Sequence, residues 1–194
     1  VRVGNLAWKQ VQHDVYGSII MAATPMFFDR RLPHPGDTAL FRTIEPLGEQ
    51  AAKFALEPDS GIWEYRGRQR VHTHSAAMCW AGCQRLHAIA NHLNLPERAA
   101  YWGAIADRIG EQVLKRAWNP KRKAFSGAFD SDDLDASALL LAELGLVAPD
   151  DPRFVSTVEA FGHELRRGYN VMRYVAADDF GRPESAFLIC RFWL

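Results

Sequence analysis

No stretch of this chain sustains an alternation of apolar and polar residues, and only short pieces at Ala124–Phe125 and Val171–Val175 look extended. Apolar residues recur instead at three- and four-residue spacing, in one segment after another, with Pro, Gly or Asn between them. That period marks amphipathic helices, so the chain is expected to be all-α and built of helical hairpins. The first helix is expected at about residues 6–24, with Asn5 as N-cap and Val11, Val15, Ile19, Ile20 and Ala23 as its buried stripe. Pro25 and residues 31–36 end it. Asp37 caps a second helix at about 38–57, with Leu40, Ile44, Leu47, Ala51 and Phe54 inward. A third runs from about 75 to 93. Pro96 opens a fourth, where its missing N–H costs nothing, and Asn119-Pro120 breaks it. Residues 134–144 are expected as a fifth helix capped by Asp133, and Asp151-Pro152 opens a sixth reaching Arg167 with Gly168 at its C′ position. A seventh is expected to begin at Glu184.

Composition excludes several classes of function. Lys plus Arg and Asp plus Glu both number 23, so the formal net charge is zero. Nucleic-acid and membrane-surface binding each need a basic excess or a basic face, so neither partner is expected. The longest apolar run, residues 136–148, is too short to span a bilayer and contains Glu143. No basic segment leads into an apolar one as in a secretory leader, which points to a cytoplasmic location. Cys79 and Cys83 stand four apart on one helical segment and read, with Cys190, as buried thiols. His72 and His74 straddle Thr73, too close to serve as two ligands on one helical face. Asp130, Asp132, Asp133 and Asp135 lack the Gly and Glu of a calcium loop, and read as a solvated turn or a sugar contact. No metal and no cofactor are expected. The chain has no starting Met and stops inside an apolar helical pattern at Phe192-Trp193-Leu194, so it reads as a piece of a longer protein.

Chemistry-bearing residues concentrate in Ser60-Gly61-Ile62-Trp63-Glu64-Tyr65-Arg66-Gly67. An indole, a carboxylate and a guanidinium fall within four positions of a loop between helices, where binding groups collect. Burial beside Trp63 would raise the pKa of Glu64 and keep it protonated for acid catalysis. The bland alternative is a surface loop whose Glu64 pairs with Arg66. A second carboxylate, Glu184 in Pro183-Glu184-Ser185-Ala186-Phe187, also lies at a loop–helix junction. Glycoside hydrolysis uses two such groups, one acid and one base or nucleophile. From spacing alone Glu184 is equally a helix N-terminal carboxylate favoured by the macrodipole.

Several ordered motifs carry a family resemblance. They are Val3-Gly4-Asn5, Gln10-Val11-Gln12-His13-Asp14-Val15-Tyr16-Gly17, residues 61–67, His74-Ser75-Ala76-Ala77-Met78-Cys79-Trp80, Leu134-Asp135-Ala136-Ser137, Arg173-Tyr174, Gly181 to Glu184, and residues 187–194. Together they resemble the bacterial branch of glycoside hydrolase family 15, which holds glucoamylases, glucodextranases and trehalase-like enzymes. The resemblance implies a partial (α/α)6 toroid. Residues 1–194 would form one catalytic domain truncated at both ends, without the N-terminal β-sandwich and the first barrel helices. It implies inverting, exo-acting hydrolysis of α-glucosidic bonds in an oligosaccharide or disaccharide. Glu64 falls on the family's general acid and Glu184 on its general base. Trp63, Arg66 and Arg173 would line the sugar site, and Tyr16 would either face it or serve as a core residue.

The chain departs from the family pattern at Ala76, where Lys is usual, at Ser185, where Gly is common, and at Arg191, where Ser is common. An upstream Arg-Asp pair that holds the terminal glucose would precede residue 1. Ala76 and Arg191 motivate an alternative, a non-catalytic helical toroid that binds carbohydrate or scaffolds. A toroid enzyme acting on another sugar class, such as a phosphorylase, is a third reading.

Overall fold

The structure is a computed structural model that describes residue 4 and residues 6–178 and 181–194. Asn5, the expected cap of the first helix, lies outside the described residues. Helix α4 (Thr73–His92) is the pillar of the fold, with α1 (Asp14–Ala23), α3 (Thr38–Phe54) and α5 (Pro96–Arg116) packed around it. Its sequence explains why. Ala76, Ala77, Cys79, Ala81, Gly82 and Cys83 leave its first half without bulk, and Leu86, Ile89 and Ala90 fill the second. A helix apolar or small over most of its circumference is buried over most of it.

The contact between α1 and α4 is backbone to backbone. A Cβ on Gly17 would stand 2.0 Å from the carbonyl oxygen of Met78, and one on Gly82 would stand 2.9 Å from the Cα of Gly17. Glycine is the residue that permits such an approach. This contact also decides which face of α1 is covered, and it is not the expected one. Ile20 is buried, but Val11, Val15 and Ile19 are exposed at 49%, 46% and 44%. Nor is residues 6–24 one helix. A 3-10 turn (Leu6–Lys9) precedes a break, because the Val11 carbonyl accepts from the Ser60 N–H at 2.8 Å and the His13 N–H donates to Asp59 at 2.9 Å. Those groups are spent on a distant loop rather than on the next helical turn. Pro25 then starts a short α2 (Pro25–Phe28) instead of ending the segment.

Helices α3 and α5 match their sequence signals closely. The Asp37 side chain accepts from the N–H groups of Ala39 and Leu40, as an N-cap should. Pro96 occupies the first turn of α5, and Trp102, Ile109 and Val113 are buried. The three-residue link between α4 and α5 makes them antiparallel neighbours. Trp80 and Trp118 pack partly buried on the same core. Cys79, Cys83 and Cys190 are buried and free, and burial pushes the Cys83 thiol up to about 12.

Beyond α5 the chain is less regular. Strand β1 (Trp118–Asn119) pairs antiparallel with β2 (Ala124–Phe125). The expected fifth helix is a 3-10 turn (Ala136–Leu139) running into a short α6 (Leu140–Glu143). Its cap is Asp135, which accepts from the Ser137 N–H, while Asp133 pairs with Arg70 at 3.0 Å. Helix α7 (Pro152–Glu164) is capped by Asp151. It stops short of Arg167 because β3 (Arg166–Arg167) folds back on β4 (Asn170–Val171), and Gly168 sits with φ +61 in that hairpin rather than at a helix end. Helix α8 begins only at Leu188 (Leu188–Trp193). The Phe187 N–H donates to the Val171 carbonyl at 3.1 Å, and Phe187 itself is extended, so the stretch before it stays out of the helix. Glu184 is therefore not a helix N-terminal carboxylate.

Candidate active site

The loop between α3 and α4 closes on itself before it presents any chemistry. The Glu64 N–H donates to the Gly61 carbonyl at 3.1 Å, and the Tyr65 N–H donates to that of Ser60 at 2.9 Å. Gly61 and Glu64 both adopt positive φ, 63° and 58°. Gln12 Nε2 donates to the Gly61 carbonyl at 3.1 Å, and Gln10 Nε2 donates to that of Glu64 at 2.7 Å. The two glutamines ahead of α1 thus hold both ends of the turn. Behind it, Asp59 is buried and accepts from the His13 N–H and from Ser75 Oγ at 2.7 Å. Tyr65 is buried, stacked on His72 and 5.2 Å from the ring of Tyr174. Burial pushes its phenol well above the usual range, so it stays neutral.

Trp63 is the residue on which separate parts of the chain converge. Its Nε1 donates to Asp135, 2.9 Å from each carboxylate oxygen. The rings of Phe187 and Trp193 stand 5.9 Å from it, and the Arg173 guanidinium lies 5.6 Å from its centroid. Arg173 also reaches the faces of Tyr174 and Phe187, at 5.4 and 6.0 Å. Of the residues expected in the site, the structure therefore brings Trp63 and Arg173 together. Glu64 follows Trp63 directly and is exposed, as is Arg66. Glu184 is exposed in the irregular stretch three residues before Phe187. The two carboxylate-bearing segments thus meet through the Trp63–Phe187 contact. Tyr16 has other neighbours: its ring stacks 6.1 Å from Phe54, and it lines a depression with His13, Lys53 and Glu57.

Sequence reasoning missed Asp135 as part of this assembly. It is buried, not a solvated turn residue. Burial raises its carboxyl pKa, opposed by hydrogen bonds from the Ser137 backbone, Trp63 and the Ser137 hydroxyl and by the charge of Arg173. Gln10 and Gln12 stand in one of the family motifs, but nothing local signals that their side chains reach some fifty residues along the chain. Among the described residues no group of three or more His, Cys, Asp and Glu could hold a metal ion, and no helix is long and apolar enough to cross a membrane.

Beneath the loop lies a cluster of buried ionisable groups. Neither ring nitrogen of His74 has a hydrogen-bond partner among the described residues, and Nδ1 stands 4.0 Å from the Asp14 carboxylate. Burial, then the nearby His72, pushes the His74 pKa down to about 4. The unfolded chain takes up a proton there from about pH 6.5 downward, and the native state does not until about pH 4. Stability from this residue is complete above the upper value and lost between the two, on the order of 3 kcal/mol. Burial raises the pKa of Asp14, which acts in the opposite sense. His74→Gln is expected to flatten the fall in stability from pH 6.5 to 4, read from urea denaturation across that range. Parallel curves for the two proteins would mean that His74 is not held neutral.

Comparison with known proteins places the chain in a family. The model for glycosyl hydrolases family 15 matches residues 1–194. A trehalase of Mycobacterium tuberculosis (strain ATCC 25618 / H37Rv) is 35% identical over 197 residues, covering 100% of this chain and 28% of the relative. A trehalase of Thermoplasma acidophilum is 31% identical over 194 residues, covering 100% of this chain and 33% of the relative. The chain thus spans about a third of the length of the curated relatives it matches. A solved wild-type glycosidase superimposes with a TM-score of 0.74 at 22% identity, over 87% of this chain and 44% of the other. A variant glycosidase in complex with glucose gives the same score and coverage. The likeness fits the expected fragment of an α/α toroid. By its full-length match to the family model and its identity to these relatives, the chain belongs to glycosyl hydrolases family 15.

Proposed function

We propose that these residues form part of a larger catalytic toroid that hydrolyses α-glucosidic bonds with inversion, and that trehalose is its foremost substrate. The observation that carries the reading is the Trp63 junction, where the Glu64 loop meets the Phe187 segment that follows Glu184, beside the Arg173 guanidinium. Aromatic faces and a guanidinium suit a pocket for one sugar ring, the first against its C–H surfaces and the second against its hydroxyls. The trehalase relatives and the glucose held by the similar glycosidase support the choice of substrate.

In this reading Glu64 is the general acid and Glu184 the general base. Glu64 gives its proton to the glycosidic oxygen as the bond from C1 breaks. A water oxygen bonds to C1 from the opposite face, and its proton passes to Glu184. Trp63 and Arg173 hold the ring, Arg66 borders the acid, and Tyr16 stacks beside Phe54.

Trehalose makes a sharp test, because its two glucose units are both α. Inversion delivers one β-glucose and one α-glucose per bond cleaved, whereas retention delivers two α. Proton NMR of the first minutes of hydrolysis by the whole protein is expected to show equal amounts of the two anomers, ahead of mutarotation. Two α products would refute inversion. No glucose from trehalose, maltose or isomaltose would refute the enzyme.

A further inference from the structure

We infer that Asp135 is a positioning residue for the general acid: its carboxylate holds the Trp63 indole N–H and so fixes the turn from which Glu64 works. The inference rests on the acid role proposed for Glu64. The Trp63–Asp135 contact spans 72 residues and has both carboxylate oxygens 2.9 Å from Nε1. Asp135 is itself fixed on every side. It accepts from the Ser137 N–H at 2.9 Å and from Ser137 Oγ at 2.7 Å, and its backbone bridges Tyr174. The next residue, Ala136, donates to the Arg173 carbonyl at 2.8 Å. Gly127 packs so closely that a Cβ there would stand 2.4 Å from the Asp135 Cβ.

A cap for a four-residue 3-10 turn does not need a buried carboxylate, since an exposed Asp or Ser supplies the same acceptor. Burying a charge is costly unless it is well bonded, and here the bonding is shared between Ser137 and the indole beside the acid. Glu64 follows Trp63 by one peptide and has φ 58, so the aim of its side chain depends on where the indole sits. Small misplacements of reacting groups can cost about 100-fold in rate.

Acid placement has a signature that plain destabilisation lacks. A sugar leaving group needs protonation, whereas fluoride leaves largely without it. In the whole protein, Asp135→Ala is expected to lower kcat on trehalose by about 100-fold and on α-glucosyl fluoride by less than about tenfold, with KM little changed. Asp135→Asn, which keeps an oxygen acceptor, should recover part of the loss. Trp63→Phe removes the donor but keeps a ring, and serves where Asp135→Ala does not fold; the same leaving-group bias is expected from it. Equal losses on the two substrates, no loss, or a rise in KM alone would overturn the inference. Glu64→Gln is measured alongside on both substrates. If it lacks the bias, the acid assignment falls and the inference with it; if it shows the bias and the Asp135 and Trp63 variants do not, only the inference falls.

Discussion

Glu64→Gln and Glu184→Gln, each made in the whole protein, are expected to lower kcat on trehalose by about 10²–10⁴-fold, the usual worth of a positioned acid or base. Neither should change the melting temperature by much. Both side chains are exposed, and the turn around Glu64 is held through its backbone by Gln10 and through Trp63 by Asp135. The amide is nearly the same size as the carboxyl group but can neither donate an acidic proton nor accept one from water. Steady-state kinetics with circular dichroism on the same preparations checks both halves. Near-normal activity in either variant would remove that residue from its role.

Gly17→Ala is expected to be the most damaging small substitution in the fold. The added methyl would lie 2.0 Å from the Met78 carbonyl oxygen and 2.5 Å from its carbon. Those atoms belong to the backbone of α4 and cannot turn aside as a side chain can. The helices must part, opening the packing of Ile20 and Cys79 on either side. Overpacking of this kind costs about 3 kcal/mol or more, and a drop in melting temperature of roughly 5–10 °C follows. Activity should fall with it, since the Gln10 and Gln12 contacts sit one turn before α1. A melting temperature within about a degree of the parent would mean that α1 and α4 do not touch at Gly17.

How much of this was legible from sequence follows from where each segment spends its backbone hydrogen bonds. Helices α3 and α5 start on Asp37 and Pro96 and satisfy themselves locally, so period and punctuation locate them. Residues 11–13 instead serve Ser60 and Asp59, which no local pattern announces. The apolar stripe Val11, Val15, Ile19 was assigned to the core for the same reason: periodicity finds a stripe but not its partner. Residues 184–187 look helical by composition but are not, and the Phe187 N–H goes to Val171. In the site, Trp63 and Arg173 follow from the family resemblance and do meet. Asp135, which joins them, reads as one acid among four in a turn. Its meaning lies 72 positions away.

The left-handed backbone at Glu64 has an evolutionary side. A non-glycine residue there carries strain of about 1–2 kcal/mol, and φ 58 is a conformation glycine adopts freely. A glutamate codon becomes a glycine codon by a single base change. One of the single-base changes that erase the proposed acid therefore relieves strain, and cellular surveillance of misfolded chains would pass that product. Under the proposed function, it is catalysis that favours a carboxylate at this position over the unstrained glycine.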